Sequence, residues 1–218
     1  MKRTSRDIRT ANRYGVLRQI IAASPVSRQE LAAATGLSLA TIATLVSELT
    51  ELGMVTEVGY EDSDGGRPRG LVSVHAAGGA LIGVDVAETY VHVELFDLAL
   101  RVLARAEREL RPGENRPDQV VAHIATAVET VVEDAPVEPG SVLGVGISVP
   151  GQVDREGGSA VYAPNWDWHD VPLLSMLSAF LPYPLHLDNP LHACTVAELW
   201  FGAARGRGDT VVVNLGTG

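Results

Sequence analysis

Two helix starts separated by one tight turn, in the segment SRQELAAATGLSLATIATLVSELTELGMV from Ser27 to Val55, leave this chain few folds to choose from. Ser27 and Glu30 stand at capping-box spacing, in which each side chain satisfies the other's orphan backbone amide, so a helix begins there with Leu31 facing inward. Thr35-Gly36-Leu37 supplies the turn, with Gly36 free to take a positive φ. Ser38 then caps a second helix. Along it Ile42, Leu45, Val46, Leu49 and Leu52 recur at helical spacing and predict a core stripe. Ala40, Thr41, Thr44, Ser47 and Glu48 fall on the opposite face. An upstream helix over residues 12–23 is expected to close the bundle with Tyr14, Leu17, Ile20 and Ile21. The order of cap, turn and cap is that of a helix-turn-helix.

Beyond Gly53 the period changes to alternation over Met54 to Val58, and a second strand is predicted over 71–75, after a glycine-rich charged tip at 61–70. A hairpin in that place makes a winged helix. The small polar residues Ser38, Thr41 and Thr44 at the start of the second helix suit base edges in a major groove. Arg67 and Arg69, around Pro68, suit the negative potential of a minor groove. Arg13 and the other arginines near the N-terminus suit backbone phosphate. A double-stranded DNA operator is therefore the expected partner. An ordinary helical hairpin with a basic loop is the plainer alternative, and the ordered set of cap, turn, recognition face and Arg-Pro-Arg tip favours DNA.

Charge supports this locally rather than globally. The whole chain carries −10, which argues against indiscriminate nucleic-acid binding. Residues 1–28, however, hold seven Lys or Arg against Asp7 alone, whereas from Ala76 onward eight Arg face nineteen Asp or Glu. A basic front and an acidic back imply two domains with different partners, placed at 1–76 and 77–218. Cys194 is the single cysteine, so a disulfide framework and a Cys-based zinc site are both excluded for these residues, no metal is expected, and a cytoplasmic location is. MKRTSRDIRT at the start lacks an apolar run, and no apolar stretch reaches about 18 residues. Neither secretion nor a membrane partner is expected.

The second domain is read as an α/β fold with a mixed sheet. Strands are predicted at 80–86, 90–96 and 102–107 as an antiparallel meander, followed by a helix over 117–133 on which Val120, Val121, Ile124, Val128, Val131 and Val132 recur at three to four. Further strands are expected at 142–149, 185–187 and 210–215, and further helices at 173–180 and 191–204.

Six segments of this domain, in register, resemble the ROK family of sugar kinases and sugar-responsive repressors. They are Gly83-Val84-Asp85 with Thr89 and Asp97, Gly144 to Gly151 with Asp154, Ala163-Pro164-Asn165-Trp166, Asp188-Asn189 through Glu198, Gly202 to Gly206, and Leu215 to Gly218. The resemblance implies the first lobe of an actin-like, ribonuclease-H-like ATPase domain behind the winged helix, which is the repressor branch of the family. It also implies that Asn165, Asn189 and Gly151 lie where sugar hydroxyls bind, a task amides suit because each both donates and accepts. Trp166 and Trp168 then offer either a flat face for a pyranose ring or ordinary packing, and Glu198 and Arg205 are structural.

The departures from the family pattern oppose catalysis. Family kinases place two glycines before the threonine of the first phosphate hairpin, where this chain has Ala87-Glu88-Thr89. They carry Asn-Asp, the Asp being the base, where it has Asn189-Pro190, and proline accepts no proton. A positioned base is worth about 10² to 10⁴ in rate. His192 is expected to be a packed or capped residue, not a substitute base. Asn214 to Gly218 matches the start of the second phosphate loop, so the chain is expected to be incomplete at its C-terminal side. The expectation is a homodimeric DNA-binding repressor of carbohydrate metabolism, with no cofactor, no catalytic residue and a sugar or sugar phosphate as effector. An ATP-dependent, glucokinase-like sugar kinase with an appended helix-turn-helix is the alternative, and a fragment that no longer senses sugar is the third reading.

Overall fold

The computed structural model describes residues 4–61 and 69–213. The chain divides into two compact units, Met1–Gly79 and Ala80–Gly218.

In the first unit α1 (Ser5–Ala23), α2 (Arg28–Thr35) and α3 (Leu39–Glu51) pack with β1 (Val26–Ser27), β2 (Val55–Glu61) and β3 (Arg69–Val74). Ser27 caps α2 and forms the reciprocal box with Glu30, Gly36 ends that helix at φ 71, and Ser38 caps α3 by accepting from the Thr41 amide. The wing strands β2 and β3 pair antiparallel, with a bulge at Glu57/Gly59. The unexpected β1 adds itself to β3, through Val26 opposite Val72, and ties the entry of α2 to the wing. Val16, Ile20, Leu31, Ile42, Leu45, Val46, Leu49, Val55 and Val72 form the core. A fully buried Leu or Ile such as Leu31, Ile42 or Ile20 contributes about 1.5–3 kcal/mol.

Three expectations for this unit need correction. The first helix starts at Ser5 rather than at 12, because Thr4 and Asp7 form another capping box. Tyr14 is 53% exposed, since successive helical residues turn by about 100° and place it across the helix from Val16, which with Ile20 supplies the wall instead. Leu52 is 56% exposed because α3 ends one residue before it and Gly53, at φ 73, leads the chain away.

The second unit is built on one five-stranded sheet. Its strands are β4 (Ala80–Val86), β5 (Tyr90–Asp97), β6 (Val102–Glu109), β7 (Val142–Ser148) and β11 (Leu185–Asp188), ordered β11-β7-β4-β5-β6. The β4-β5-β6 meander is antiparallel, and β4, β7 and β11 run parallel. Helix α4 (Pro117–Asp134) lays Val120, Val121, Ile124, Ala127, Val128 and Val131 on the face that also buries Ile82, Val84, Val91 and Val93. Strand periodicity sends Gly83, Asp85, His92 and Glu94 to the opposite face. The α/β class with a mixed sheet is thus as expected. A second small sheet is not: β8 (Gln152–Asp154), β9 (Ser159–Ala163) and β10 (Trp168–Val171) form an antiparallel set in the order β10-β9-β8.

Between β9 and β10, Asp167 turns the chain at φ 54, and Trp166 and Trp168 pack edge to face with centroids 4.7 Å apart. Both are buried, and Trp168 Nε1 donates to the Asn115 carbonyl at 2.7 Å, so ordinary packing and not a sugar platform is their role. Helix α5 (Leu173–Leu177) is shorter than the expected 173–180, and α6 (Pro190–Trp200) ends before the expected 204. Residues 210–213 form no strand: they pair with no other strand among the described residues, and β-branched propensity without a ladder does not make one. Among the described residues no single helix is long and apolar enough to cross a membrane.

Candidate nucleic-acid interface and effector site

The outward face of α3 carries Leu39, Ala40, Ala43, Thr44 and Ser47, all exposed. Of the expected base-contacting residues, Ser38 spends its hydroxyl on the helix start, 3.2 Å from the Thr41 amide and 2.9 Å from Thr41 Oγ1. Thr44 Oγ1 donates to the Ala40 carbonyl at 3.0 Å. Arginines of α1 stand beside this helix: Arg9 pairs with Glu48, and Arg13 Nη1 lies 4.0 Å from Glu48 Oε2. Arg69 opens β3 opposite Glu61, at the base of the hairpin tip, and Arg67 lies outside the described residues. Glu30 is held below the usual carboxylate range, first by the Ser27 amide and hydroxyl that donate to it and further by the charge of Arg69.

In the second unit the parallel strands end together, and an α/β sheet offers its ligand crevice at such carboxyl ends. At the end of β4, Asp85 accepts from Ser148 Oγ at 2.7 Å and from the Tyr90 hydroxyl at 3.1 Å. The Asp85 charge, aided by burial, pushes the Tyr90 phenol above its ordinary value. At the end of β11, Asp188 Oδ1 accepts from the Asn189 amide at 2.8 Å while Oδ2 meets His192 Nδ1 at 2.6 Å. Arg155 Nη1 approaches the His192 ring nitrogens at 3.3 Å and Asp188 at 3.9 Å.

Two of the expected sugar residues meet here, by bonding to each other. Asn189 caps α6 by accepting from the Leu191 amide at 2.9 Å, and its Nδ2 donates to the Gly151 carbonyl at 2.6 Å. Gly151 sits at φ 89, and a Cβ there would stand 2.1 Å from the Tyr162 carbonyl oxygen. The third, Asn165, donates to the Glu88 carboxylate, which brings the β9–β10 turn against the β4–β5 turn. Pro190 occupies the first turn of α6, where its missing N–H costs nothing. Glu198 accepts from the Ala203 amide at 2.9 Å, a structural contact closing the turn after α6.

On the sheet face opposite α4 lies a cleft of about 500 Å³ bordered by Asp85, His92, Glu94, Ser148, His186 and Asp188. Sequence reasoning passed over His92, Glu94 and His186, although strict alternation along β5 and β11 already set them on one side. It also passed over Arg155, whose partners lie 33 and 37 residues downstream. Among the described residues no three His, Cys, Asp or Glu are grouped closely enough to hold a metal ion.

Comparison with known proteins covers both units. Residues 81–218 match the ROK family, and residues 9–56 match a winged helix-turn-helix DNA-binding pattern. The chain is 31% identical over 211 residues to the xylose repressor of Caldicellulosiruptor bescii, covering 97% of this chain and 53% of that protein. It is 37% identical over 139 residues to the glucokinase of Thermotoga maritima, covering 63% of this chain and 42% of the enzyme. A solved structure of a ROK family transcriptional regulator, a homologue of the E. coli Mlc protein, superposes with a TM-score of 0.70 at 22% identity, over 89% of this chain and 49% of that one. The chain spans about half the length of the curated repressors it matches.

Proposed function

The chain belongs to the ROK family, and from that membership we propose that it is a DNA-binding repressor of carbohydrate metabolism whose second unit takes up a sugar or sugar phosphate without phosphorylating it. The observation that carries this reading is the union, in one chain, of a winged helix-turn-helix and a ROK-family domain, together with an alignment to a xylose repressor that covers 97% of the chain. The DNA module is assigned to residues 1–76 and the effector domain to 77–218. Xylose and other pentoses, with their phosphates, head the effector panel. Homodimerisation on a two-fold operator is included in the proposal on the ground of family membership and winged-helix geometry, and the reducing cytoplasm suits the lone Cys194.

Pro190 supports the non-catalytic reading. It stands at the helix start where the family's base belongs, and neither proline nor Asn189, whose amide is spent on Leu191 and Gly151, takes up a sugar proton. Glu88 adds a carboxylate where phosphate-binding glycines stand in the kinases, although its contact with Asn165 holds it within the protein.

The identity with a glucokinase favours a second reading, an ATP-dependent sugar kinase carrying a helix-turn-helix. Coupled turnover with ATP against a panel of pentoses and hexoses, alongside gel retardation of the DNA upstream of the gene, separates the two. Retardation without turnover is expected; turnover abolished by substituting Asp188 would establish the enzyme instead.

A further inference from the structure

The recognition helix is notable for what its sequence omits. LATIATLVSELTE contains no Arg, Lys, His, Asn or Gln, the residues that make bidentate bonds to guanine or adenine in a major groove. Its hydroxyls near the N-terminal end are committed within the protein: Ser38 to Thr41, and Thr44 to the Ala40 carbonyl. What the N-terminal end of α3 presents is therefore mainly carbon: Ala40, Ala43, the exposed Thr44, and Leu39, a large apolar side chain 53% exposed at the first position of the helix, while Ser47 further along the same face is bonded to Glu51. Ile8 of α1, 49% exposed, borders the same groove beside Ala40, Thr41 and Thr44.

Such a surface would be a liability facing water, and a nucleic-acid groove offers it one chemically matched group, the 5-methyl of thymine. Charge complementarity favours that placement: α1, whose Arg9 and Arg13 reach Glu48 on α3, carries four arginines against one aspartate, a cationic flank suited to phosphate beside the apolar strip. We propose that α3 reads its operator by apolar contact with thymine methyls, with Leu39 the chief specificity-determining residue. This rests on the DNA-binding reading above. Sequence discrimination then comes from methyl packing at one or two A·T pairs per half-site, and guanine is read, if at all, by residues outside α3.

The test begins with selection of bound duplexes from a random pool by the full chain, followed by affinity measurements in which individual thymines of the selected site are replaced by uracil, which deletes only the methyl. Each contacted methyl should be worth about fourfold in affinity, from about 0.8 kcal/mol per buried carbon. Leu39→Ala should bind the thymine and uracil duplexes equally at one position, while Leu39→Met keeps most of the discrimination. The coupling between residue and methyl separates direct contact from any effect of uracil on duplex shape, which the variant would leave in place. Uracil duplexes bound as tightly as thymine duplexes, or selected sites anchored on guanine with no thymine preference, would overturn the inference while leaving DNA binding intact. Failure to select any duplex overturns the DNA-binding reading and this inference with it.

Discussion

Asn189, expected from the family resemblance to bind sugar, is committed within the protein to two contacts. Its Oδ1 caps α6 and its Nδ2 holds the Gly151 carbonyl at 2.6 Å. Asn189→Ala removes both. Loss of an N-cap costs about 1 kcal/mol, and a part-buried carbonyl left without its donor costs about 1 kcal/mol more, for a total of about 2 kcal/mol. Asn189→Ser keeps a hydroxyl acceptor for the cap and loses the donor to Gly151, so it should fall near half that cost. The assay is built into the chain: Trp166, Trp168 and Trp200 are its three tryptophans, and all lie in the second unit. Urea unfolding followed by tryptophan fluorescence therefore reports this unit alone. With a slope of about 2 kcal/mol per molar, the midpoint should drop by about 1 M for Asn189→Ala and about 0.5 M for Asn189→Ser. An Asn189→Ala midpoint within about 0.2 M of the parent would refute the structural role and leave the side chain free for a ligand.

Gly151→Ala should be worse than either, because its Cβ meets the backbone of Tyr162 and Ala163 in a left-handed conformation; loss of the β8–β9 pairing, seen as weakened amide protection, checks it. The lowered pKa of Glu30 means that its bonds to Ser27 stabilise the first unit fully above the ordinary glutamate range and are lost as pH falls through the folded value. A helical melting midpoint that falls as the pH drops below the ordinary glutamate range, with the Glu30-linked part of that fall absent in Glu30→Gln, is the expected signature; identical pH profiles would count against it. Arg67→Ala with Arg69→Ala should weaken binding to operator DNA and reduce the slope of log affinity against log salt by up to about 2, and an unchanged slope would remove the wing from the interface.

What was legible in the sequence was whatever a local signal carries. The box of Ser27 with Glu30, the turn at Gly36 and the cap at Ser38 are each complete within a few residues, and the structure repeats them. The box at Thr4 and Asp7 was equally local, and was missed because α1 continues through polar residues with little apolar periodicity. Strand β1 has two residues and β8 three, too short for any period to show, and they exist because β3 and β9 offer them ladders. The site was legible in composition but not in contact. Asn165 and Glu88 are 77 residues apart, and Asn189 and Gly151 are 38 apart; only the fold, which sets the β9–β10 turn against the β4–β5 turn and ends β7 and β11 side by side, brings these partners together. The tryptophans show the same limit, since an indole pair reads alike as platform or packing until its burial is known.

Coupling of DNA binding to a sugar is the property that most directly tests a winged helix joined to a ROK-family domain. Fluorescence anisotropy of a labelled duplex from upstream of the gene, titrated with the full chain at fixed salt, should show tighter binding than to a scrambled duplex, and one sugar or sugar phosphate of the panel should weaken it. Equal affinity for both duplexes, unmoved by every sugar, would contradict the central claim.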